Sequence, residues 1–286
     1  MLRRSAPDLN FLLGVWRISV RKISWQMDCS AQLPYVWKTG GKTSTVMSCL
    51  PNETQDYINA SPIHRITMPN EGPVQLDFDQ MDYICAQAPL HTTCGDFWRM
   101  IVENNVGIIV TLVRLTENDI PGCALYWPER LGEQIVYTSG SVGFTVELKR
   151  EISQIGYDER EFIVESDQPA DNKRKLHVLQ LAMHGWLDMG VPNVELFNEV
   201  LCKYKELKNV SRPGSLTLVH CKAGIGRSGT FVVADILRRQ LENKCDVIDL
   251  PGIILQLRRC RQGMVESELQ YIFLQEFANS LIAQSN

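Results

Sequence analysis

The chain has 286 residues, a formal net charge of −4 and a hydrophobic fraction of 44%. That composition supports a sizeable core and argues against disorder, and the mild acidity gives no bulk attraction to nucleic acid or to a membrane surface. The longest apolar runs are well short of a membrane span, and the nine cysteines, irregularly spaced and without a C-x-x-C pair, are typical of reduced thiols in a cytosolic protein.

The sequence shows no internal repeat, low-complexity tract or Pro/Ser-rich linker, so we predict a single domain over residues 1–286. Its first quarter is turn-rich, and two loops are predicted there, over KTGGKTST and LPNETQD. The apolar run FLLGVW near the N-terminus is too short for a secretory signal, and Arg17 follows it at once. We therefore expect a cytoplasmic protein.

Helices and strands are predicted along the rest of the chain. We predict a helix over DFWRMIVENN, with Asp96 as its N-cap, and a buried strand over the β-branched run GIIVTLV. Two antiparallel strands are predicted over TSGSVGFTVELKREI and REFIVES, and a third strand over KLHVLQLAM.

The C-terminal half adds three helices and one strand. Helical spacing of apolar residues predicts a helix over VELFNEVLCKYKEL, carried by Val194, Phe197, Val200, Leu201, Tyr204 and Leu207. A buried strand over LTLV, a helix from Ser228 to Asn243 and a closing helix over ELQYIFLQEFANSLIAQ follow. This mixture predicts an α/β fold, of the α+β type, in which a highly twisted mixed sheet is flanked by helices on both faces.

The glycine-rich turn in LTLVHCKAGIGRSGTFV, between that strand and the helix behind it, admits three interpretations. The first is a dinucleotide site, because Gly224, Gly226 and Gly229 spell G-x-G-x-x-G and Asp249 lies twenty residues further on. Such sites usually carry neither a cysteine nor an arginine at this point. The second interpretation is a tight structural turn with a buried cysteine, which is common for this residue type.

The third interpretation is an anion cradle that holds a nucleophile. Backbone N–H groups between residues 222 and 227 can converge on phosphate oxygens, and the helix N-terminus adds a positive dipole. Arg227 can supply a planar two-pronged donor to the same oxygens. That field would favour the thiolate form of Cys221, which is the nucleophilic form. The cradle accounts for the cysteine, the glycines and the arginine together.

The segment HCKAGIGRSG matches the pattern H-C-x-x-G-x-x-R-[ST]-G at every fixed position, so the chain resembles the cysteine-based protein tyrosine phosphatases, as a divergent member. Five more blocks resemble family blocks in family order, namely DYINAS, YICAQAPL, DFWRMI, YWPE and QGMVESELQY, and the first 50 or so residues diverge. The resemblance implies phosphotyrosine-containing proteins or peptides as substrates, no metal, no cofactor and a monomeric signalling enzyme.

The resemblance also assigns roles to the turn. Cys221 would be the nucleophile that takes the phosphoryl group as a phosphocysteine, and Arg227 would bind the equatorial oxygens. His220 would help to set the acidity of the thiol, Ser228 would stabilise the departing thiolate, and Glu117 would orient the arginine. Five further residues would line the substrate cradle: Lys222, Ala223, Gly224, Ile225 and Gly226.

Two positions near this site depart from the family. The family's mobile loop reads W-P-D-x-G-x-P, and here it reads WLDMGVP, so the general acid Asp188 is present while Leu187 replaces a proline and should alter how often the loop closes. Glu266 stands where the family has a glutamine that places water for hydrolysis of the phosphocysteine. Gln270 matches a second family glutamine.

The family element whose tyrosine packs on the substrate ring is not preserved. Counting back about twenty residues from Tyr57 leads to the segment PYVW. Tyr35 or Trp37 would then form the wall of the ring pocket, and the alternative is that both are core residues.

The sequence thus predicts a protein tyrosine phosphatase that works through a phosphocysteine and an aspartate general acid. One alternative is a weakly active or inactive phosphatase that binds phosphotyrosine segments, which Leu187, Glu266 and the altered ring-binding element favour. A minor alternative is a phosphoinositide phosphatase, because Lys222 gives the opening HCKAG that occurs in some lipid phosphatases.

Overall fold

The structure is a computed structural model that describes residues 57–67, 74–117, 119–168, 174–245 and 248–285. Tyr35 and Trp37, the two candidates for the ring wall, lie outside these residues. Within the described residues, an eight-stranded mixed sheet and a two-stranded ribbon are combined with five α-helices. In that part of the chain, no helix is both long and apolar enough to cross a lipid bilayer.

The elements are numbered in chain order. The strands are β1 Ala60–Ile66, β2 Leu76–Gln87, β3 Val106–Thr111, β4 Thr116–Glu117, β5 Ile120–Pro121, β6 Gln134–Ser139, β7 Val142–Gln154, β8 Tyr157–Ser166, β9 Lys175–Met183 and β10 Leu216–Cys221. The helices are α1 Cys94–Glu103, α2 Val194–Val210, α3 Gly226–Glu242, α4 Leu250–Cys260 and α5 Glu268–Ser285.

The large sheet has the strand order β1-β2-β10-β3-β9-β8-β7-β6. Its four central strands, β2, β10, β3 and β9, run parallel to one another, and the flanking pairs are antiparallel. Every residue of β3 is buried, as expected for a parallel strand covered on both faces. Strand β10 lies between two parallel partners, so Cys221 stands at the carboxyl end of a central strand.

Helices cover both faces of this sheet, as the sequence predicts. On one face α2, α3, α4 and α5 pack over a core that includes Val219, Phe231 and Phe277. On the other face α1 packs over a second core that includes Trp98 and Leu218. Because neighbouring residues of a strand point to opposite faces, β10 contributes Val219 to one core and Leu218 to the other.

Most predicted elements are confirmed. The runs GIIVTLV, REFIVES, KLHVLQLAM and LTLV overlap β3, β8, β9 and β10, and the predicted helices correspond to α1, α2, α3 and α5. The segment TSGSVGFTVELKREI is wrong as one strand, because it contains the end of β6, a turn with Gly140 at φ 57° and most of β7. A reversal at Gly140 is easy since glycine tolerates positive φ.

Two helix starts also differ from the prediction, and one helix was missed. Helix α1 begins at Cys94 after the N-cap residue Thr93, which places Asp96 inside the first turn, where its Oδ1 accepts a 2.6 Å hydrogen bond from the Ser139 hydroxyl. Helix α3 begins at Gly226 rather than Ser228. Helix α4 was not predicted, and Asp249 caps it by accepting from the Gly252 N–H at 3.0 Å.

Candidate active site

The turn that follows β10 has a backbone shape that only glycine permits at one position. Gly224 has φ +74°, and a Cβ atom there would lie 2.3 Å from the carbonyl oxygen of Ala86 on the neighbouring strand. The Gly224 N–H points inward and donates to Cys221 Sγ at 3.2 Å. The turn therefore wraps around the sulfur while it rests against β2.

Arg261 holds the outer side of the same turn, and sequence reasoning missed it. Its guanidinium donates to the carbonyl oxygens of Ala223 and Gly224 at 2.9 and 2.8 Å, and also to the Asn59 side chain at 2.8 Å. In a planar trans peptide the C=O and the next N–H point in opposite directions. Binding the two carbonyls outward thus directs the N–H groups of Gly224 and Ile225 into the cradle.

Arg227 lies almost fully buried at the first turn of α3, with carboxylates on two sides. Its Nη1 and Nη2 pair with the two oxygens of Glu117, the second at 3.1 Å, and Nη2 also contacts Asp188 Oδ1 at 3.2 Å. Burial lowers the pKa of Arg227, but the Glu117 hydrogen bond and the nearby Cys221, Glu117 and Asp188 charges outweigh it and leave the pKa raised. The arginine is fixed in orientation and fully charged.

The loop WLDMGVP, residues 186–192, lies over the cradle. Arg227 Nη1 donates to the Trp186 carbonyl oxygen at 3.1 Å, and the Trp186 indole donates to the Gly190 carbonyl at 2.9 Å. Asp188 is half-exposed and also lies 3.9 Å from the Lys222 ammonium. Leu187 is 64% exposed. The loop therefore adopts this position with leucine at residue 187, and because it carries Asp188 we call it the acid loop below.

The first turn of α5 and the residues just before it support the acid loop from the other side. Gln270 Oε1 accepts from the backbone N–H groups of Glu266 and Ser267 at 3.0 and 3.3 Å, and its amide nitrogen lies 3.5 Å from the Gly190 carbonyl. The Ser267 hydroxyl donates to the Met189 carbonyl at 3.3 Å. Gln270 and Ser267 thus hold two successive carbonyl groups of the loop.

Glu266 points its carboxylate at the start of α3. A Cβ atom on Gly226 would lie 2.9 Å from Glu266 Oε2, which shows how closely the carboxylate approaches the cradle backbone. Burial raises the pKa of Glu266, the charge of Asp188 raises it further, and Arg227 opposes them. The site therefore places an additional acidic group beside the position where an anion would bind.

His220 is buried next to Cys221 at the end of β10 and is neutral at physiological pH. Its Nε2 lies 2.8 Å from the Tyr126 hydroxyl and 3.0 Å from the Thr111 hydroxyl. Burial lowers the pKa of His220 to about 3, and the charge of Arg227 acts in the same direction. The imidazole thus contributes hydrogen bonds rather than a positive charge.

The Ser228 hydroxyl is fully buried and has no hydrogen-bond partner within the described part of the chain. Cys221 itself is 3% exposed. Burial also raises the pKa of three other thiols, to about 12 for Cys85 and Cys123 and to about 11 for Cys94. Thiols of such low acidity stay protonated at neutral pH.

The structure brings most of the predicted site residues together in one place. Direct contacts join Arg227 to Glu117 and Asp188, and the turn of residues 222–226 encloses the Cys221 sulfur. Gln270 reaches the acid loop, and Glu266 reaches Gly226. The arrangement offers a sulfur nucleophile, inward N–H donors, a fixed guanidinium and a carboxyl group above them.

Comparison with known proteins points to one family. The family model described as protein-tyrosine phosphatase matches residues 43–280. The chain is 34% identical over 232 residues to the human receptor-type tyrosine-protein phosphatase eta, covering 80% of this chain and 16% of that protein. It is 33% identical over 220 residues to the mouse receptor-type tyrosine-protein phosphatase alpha, covering 77% of this chain and 24% of that protein. The chain thus spans less than a third of the length of these relatives.

Proposed function

Because the chain belongs to the protein-tyrosine phosphatase family, we propose that it hydrolyses phosphotyrosine in proteins or peptides through a phosphocysteine intermediate, within a single catalytic domain. One observation carries the proposal: the guanidinium of Arg227 contacts both Glu117 and the acid-loop carboxylate of Asp188, at the end of the turn that encloses Cys221. These groups are what phosphoryl transfer requires, namely a nucleophile, charge stabilisation and a proton donor.

In the first proposed step, the Cys221 thiolate attacks phosphorus and the bond from phosphorus to the tyrosine oxygen breaks. Arg227 and the inward N–H groups of the turn bind the three remaining phosphate oxygens, where negative charge is concentrated. Protonated Asp188 gives its proton to the departing tyrosine oxygen. The products of this step are neutral tyrosine, a phosphocysteine and an ionised Asp188.

In the second proposed step, water attacks the phosphocysteine and the sulfur–phosphorus bond breaks. Asp188, now ionised, takes a proton from that water, and inorganic phosphate forms. The Ser228 hydroxyl donates a hydrogen bond to the thiolate as it departs, a role that its unpartnered oxygen supports within the described residues. Gln270 and Glu266 border the space from which the water would approach.

A second candidate function is a phosphotyrosine-binding module with little turnover, and the Glu266 carboxylate favours it. A negative group that approaches the backbone of Gly226 repels an anionic thiophosphate and can slow its hydrolysis. Binding through the turn and Arg227 would persist in such a protein. The two functions differ in the turnover number, not in the ligand.

Hydrolysis of p-nitrophenyl phosphate and of a phosphotyrosyl peptide by the purified chain tests the proposal. We expect turnover that vanadate inhibits and that a metal chelator leaves unchanged. The Cys221→Ser variant serves as the control for contaminating phosphatase. Peptide binding without turnover would support the binding module instead, and turnover of phosphoinositides in preference to the peptide would point to a lipid phosphatase.

A further inference from the structure

His184, two residues before Trp186, is held by the β7–β8 hairpin through both its backbone and its side chain. Its backbone N–H donates to the Gly156 carbonyl at 2.7 Å, and its Nε2 lies 2.8 Å from Asp158 Oδ2. Gly156 itself is wedged against α2, since a Cβ atom there would lie 2.6 Å from Leu196. His184, two residues before the acid loop, is therefore anchored to the β7–β8 turn by its backbone and to β8 by its side chain.

Arg160 secures the carboxylate that His184 contacts. Its Nη2 donates to Asp158 Oδ2 at 2.7 Å, and its Nη1 donates to Gln180 Oε1 at 3.1 Å. Arg160 also donates to Glu151 at 2.7 Å, and its guanidinium carbon lies 5.1 Å from the centre of the Trp127 ring. Because these contacts hold its guanidinium in place, Arg160 restrains the position of Asp158.

The same chain of contacts continues to the other half of the active site. Gln180 donates to the Tyr126 hydroxyl at 2.8 Å, and that hydroxyl lies 2.8 Å from His220 Nε2. One connected series of polar side chains, His184–Asp158–Arg160–Gln180–Tyr126–His220, thus runs from the residue before Gly185 to the residue before Cys221. We call this series the polar chain.

Gly185 separates the anchored residue from the part of the loop that carries the acid. It has φ +81°, and a Cβ atom there would meet no atom within 4 Å. On its far side, Trp186 contacts Arg227 and Gly190. A fixed residue, a permissive glycine and a docked tryptophan form a hinge whose stationary end is His184.

We propose that His184 is a positioning residue for the general acid: its bond to Asp158 fixes the stationary end of the acid loop, so that Asp188 reaches the cradle with fewer backbone torsions to order. The inference rests on the proposed function, because Asp188 is a general acid only if the chain hydrolyses phosphate esters. The loop geometry that His184 controls does not depend on that activity.

Leaving-group dependence separates this role from a purely structural one. His184→Ala should lower kcat for phenyl phosphate about 10-fold, the size expected for a lost hydrogen bond to a charged group, and leave KM nearly unchanged. For aryl phosphates whose phenol is acidic, the loss should shrink, because those leaving groups need little protonation. Equal losses for all leaving groups would overturn the proposal.

Conservative and matched variants complete the kinetic test. His184→Gln keeps an N–H donor near the place of Nε2 and should restore most of kcat. In a double-mutant cycle, Asp158→Ala should cost little once His184 is alanine, because the two act as a pair. His177→Gln is the control, since His177 on β9 pairs with Glu161 on β8 at 2.6 Å, nearer the start of β9 and away from the acid loop. Additive losses in the cycle would count against the pair.

Fluorine NMR of protein labelled with fluorotryptophan reports the environment of Trp186 in the acid loop and requires no enzymatic turnover. The Trp186 signal is assigned by its loss in Trp186→Phe. We expect the signal to shift or broaden in His184→Ala and to recover in His184→Gln. An unchanged signal in His184→Ala would refute the positioning role. If the parent shows this pattern yet hydrolyses no phosphate ester, the proposed function fails while the hinge assignment stands.

Discussion

The carboxylate of Asp188 and the guanidinium of Arg227 are in direct contact, with Oδ1 of the aspartate 3.2 Å from Nη2 of the arginine. Arg227 is buried and fixed by Glu117, so this contact places the half-exposed Asp188 relative to the cradle. The acid loop therefore already holds the Asp188 carboxylate beside the guanidinium of Arg227.

Replacing Asp188 with alanine should lower kcat by roughly 10²–10⁴-fold, the usual contribution of a general acid. The loss should shrink as the phenol of the aryl phosphate becomes more acidic. Steady-state kinetics over a series of leaving groups measures this. A loss that is constant across the series would show that Asp188 is not the proton donor.

Cys221→Ser should abolish turnover and keep phosphopeptide binding, because the N–H donors of the turn and Arg227 remain. Isothermal titration with a phosphotyrosyl peptide, alongside a discontinuous phosphate assay, measures both. Cys202→Ser on α2 is the matched control and should be fully active. Residual hydrolysis by a clean preparation of Cys221→Ser would rule out the thiol mechanism.

Arg227→Lys should weaken both vanadate binding and kcat/KM, because an ammonium cannot pair with both Glu117 oxygens and still present two parallel donors to phosphate. The exposed Arg259→Lys change on α4 is the control for loss of an arginine as such. Kinetics equal to those of the parent would contradict the assigned role of Arg227.

Glu266→Gln should speed hydrolysis of the phosphocysteine. An ionised glutamate only accepts hydrogen bonds and repels the anionic intermediate, whereas an amide both donates and accepts and can hold the attacking water. Rapid-mixing kinetics of the parent should show a burst of phenol, and the variant should show a smaller burst and a higher kcat. No burst in the parent and no gain in the variant would refute the hypothesis, and Glu268→Gln in the exposed first turn of α5 is the control.

The raised pKa of Glu266 gives this step a pH dependence. A carboxyl group with a raised pKa keeps its proton to higher pH. When Glu266 is protonated, it carries no negative charge to repel the intermediate, and its O–H can donate a hydrogen bond to the attacking water. Breakdown of the phosphocysteine, followed in single-turnover experiments, should therefore be faster at mildly acidic pH and slow as Glu266 ionises. Glu266→Gln should remove that dependence, and a pH profile shared by parent and variant would contradict it.

His220 should make the fold sensitive to acid. Its pKa falls from 6.5 to about 3 in the folded chain, so between those values the unfolded chain binds a proton that the folded chain does not. The free energy of unfolding should thus fall as pH drops below about 6.5, by about 1.4 kcal/mol per pH unit from this residue alone. Urea unfolding at several pH values should show a shallower fall for His220→Gln than for the parent and for His177→Gln, and equal slopes would contradict it.

The sequence predicts the core of the site because its elements are local. Cys221 and Arg227 lie within one strand–turn–helix, and an apolar run followed by glycines identifies such a unit. Arg261 escapes prediction because its partners, Asn59 and the turn, lie about 200 and 37 residues away along the chain. No periodicity or spacing marks an arginine whose role is to bind two remote carbonyls.

Where the sequence failed to predict the fold, the causes are also physical. Leu250, Pro251 and Gly252 have the composition of a turn, yet proline in a first helical turn after an aspartate cap is a helix start. Glu117 belongs to a two-residue strand, which is too short for any repeating pattern, so only the family resemblance pointed to it. The polar chain is equally hidden, because it joins side chains from several strands.

The deep burial of Cys85, Cys94 and Cys123 makes their thiols poorly reactive toward oxidants and electrophiles. A mild electrophile or peroxide discriminates among thiols by their ionisation, and these three present protonated sulfur to it. A mild thiol reagent should consequently leave these three sulfurs unmodified while the chain stays folded, and so leave both hydrophobic cores of the sheet intact.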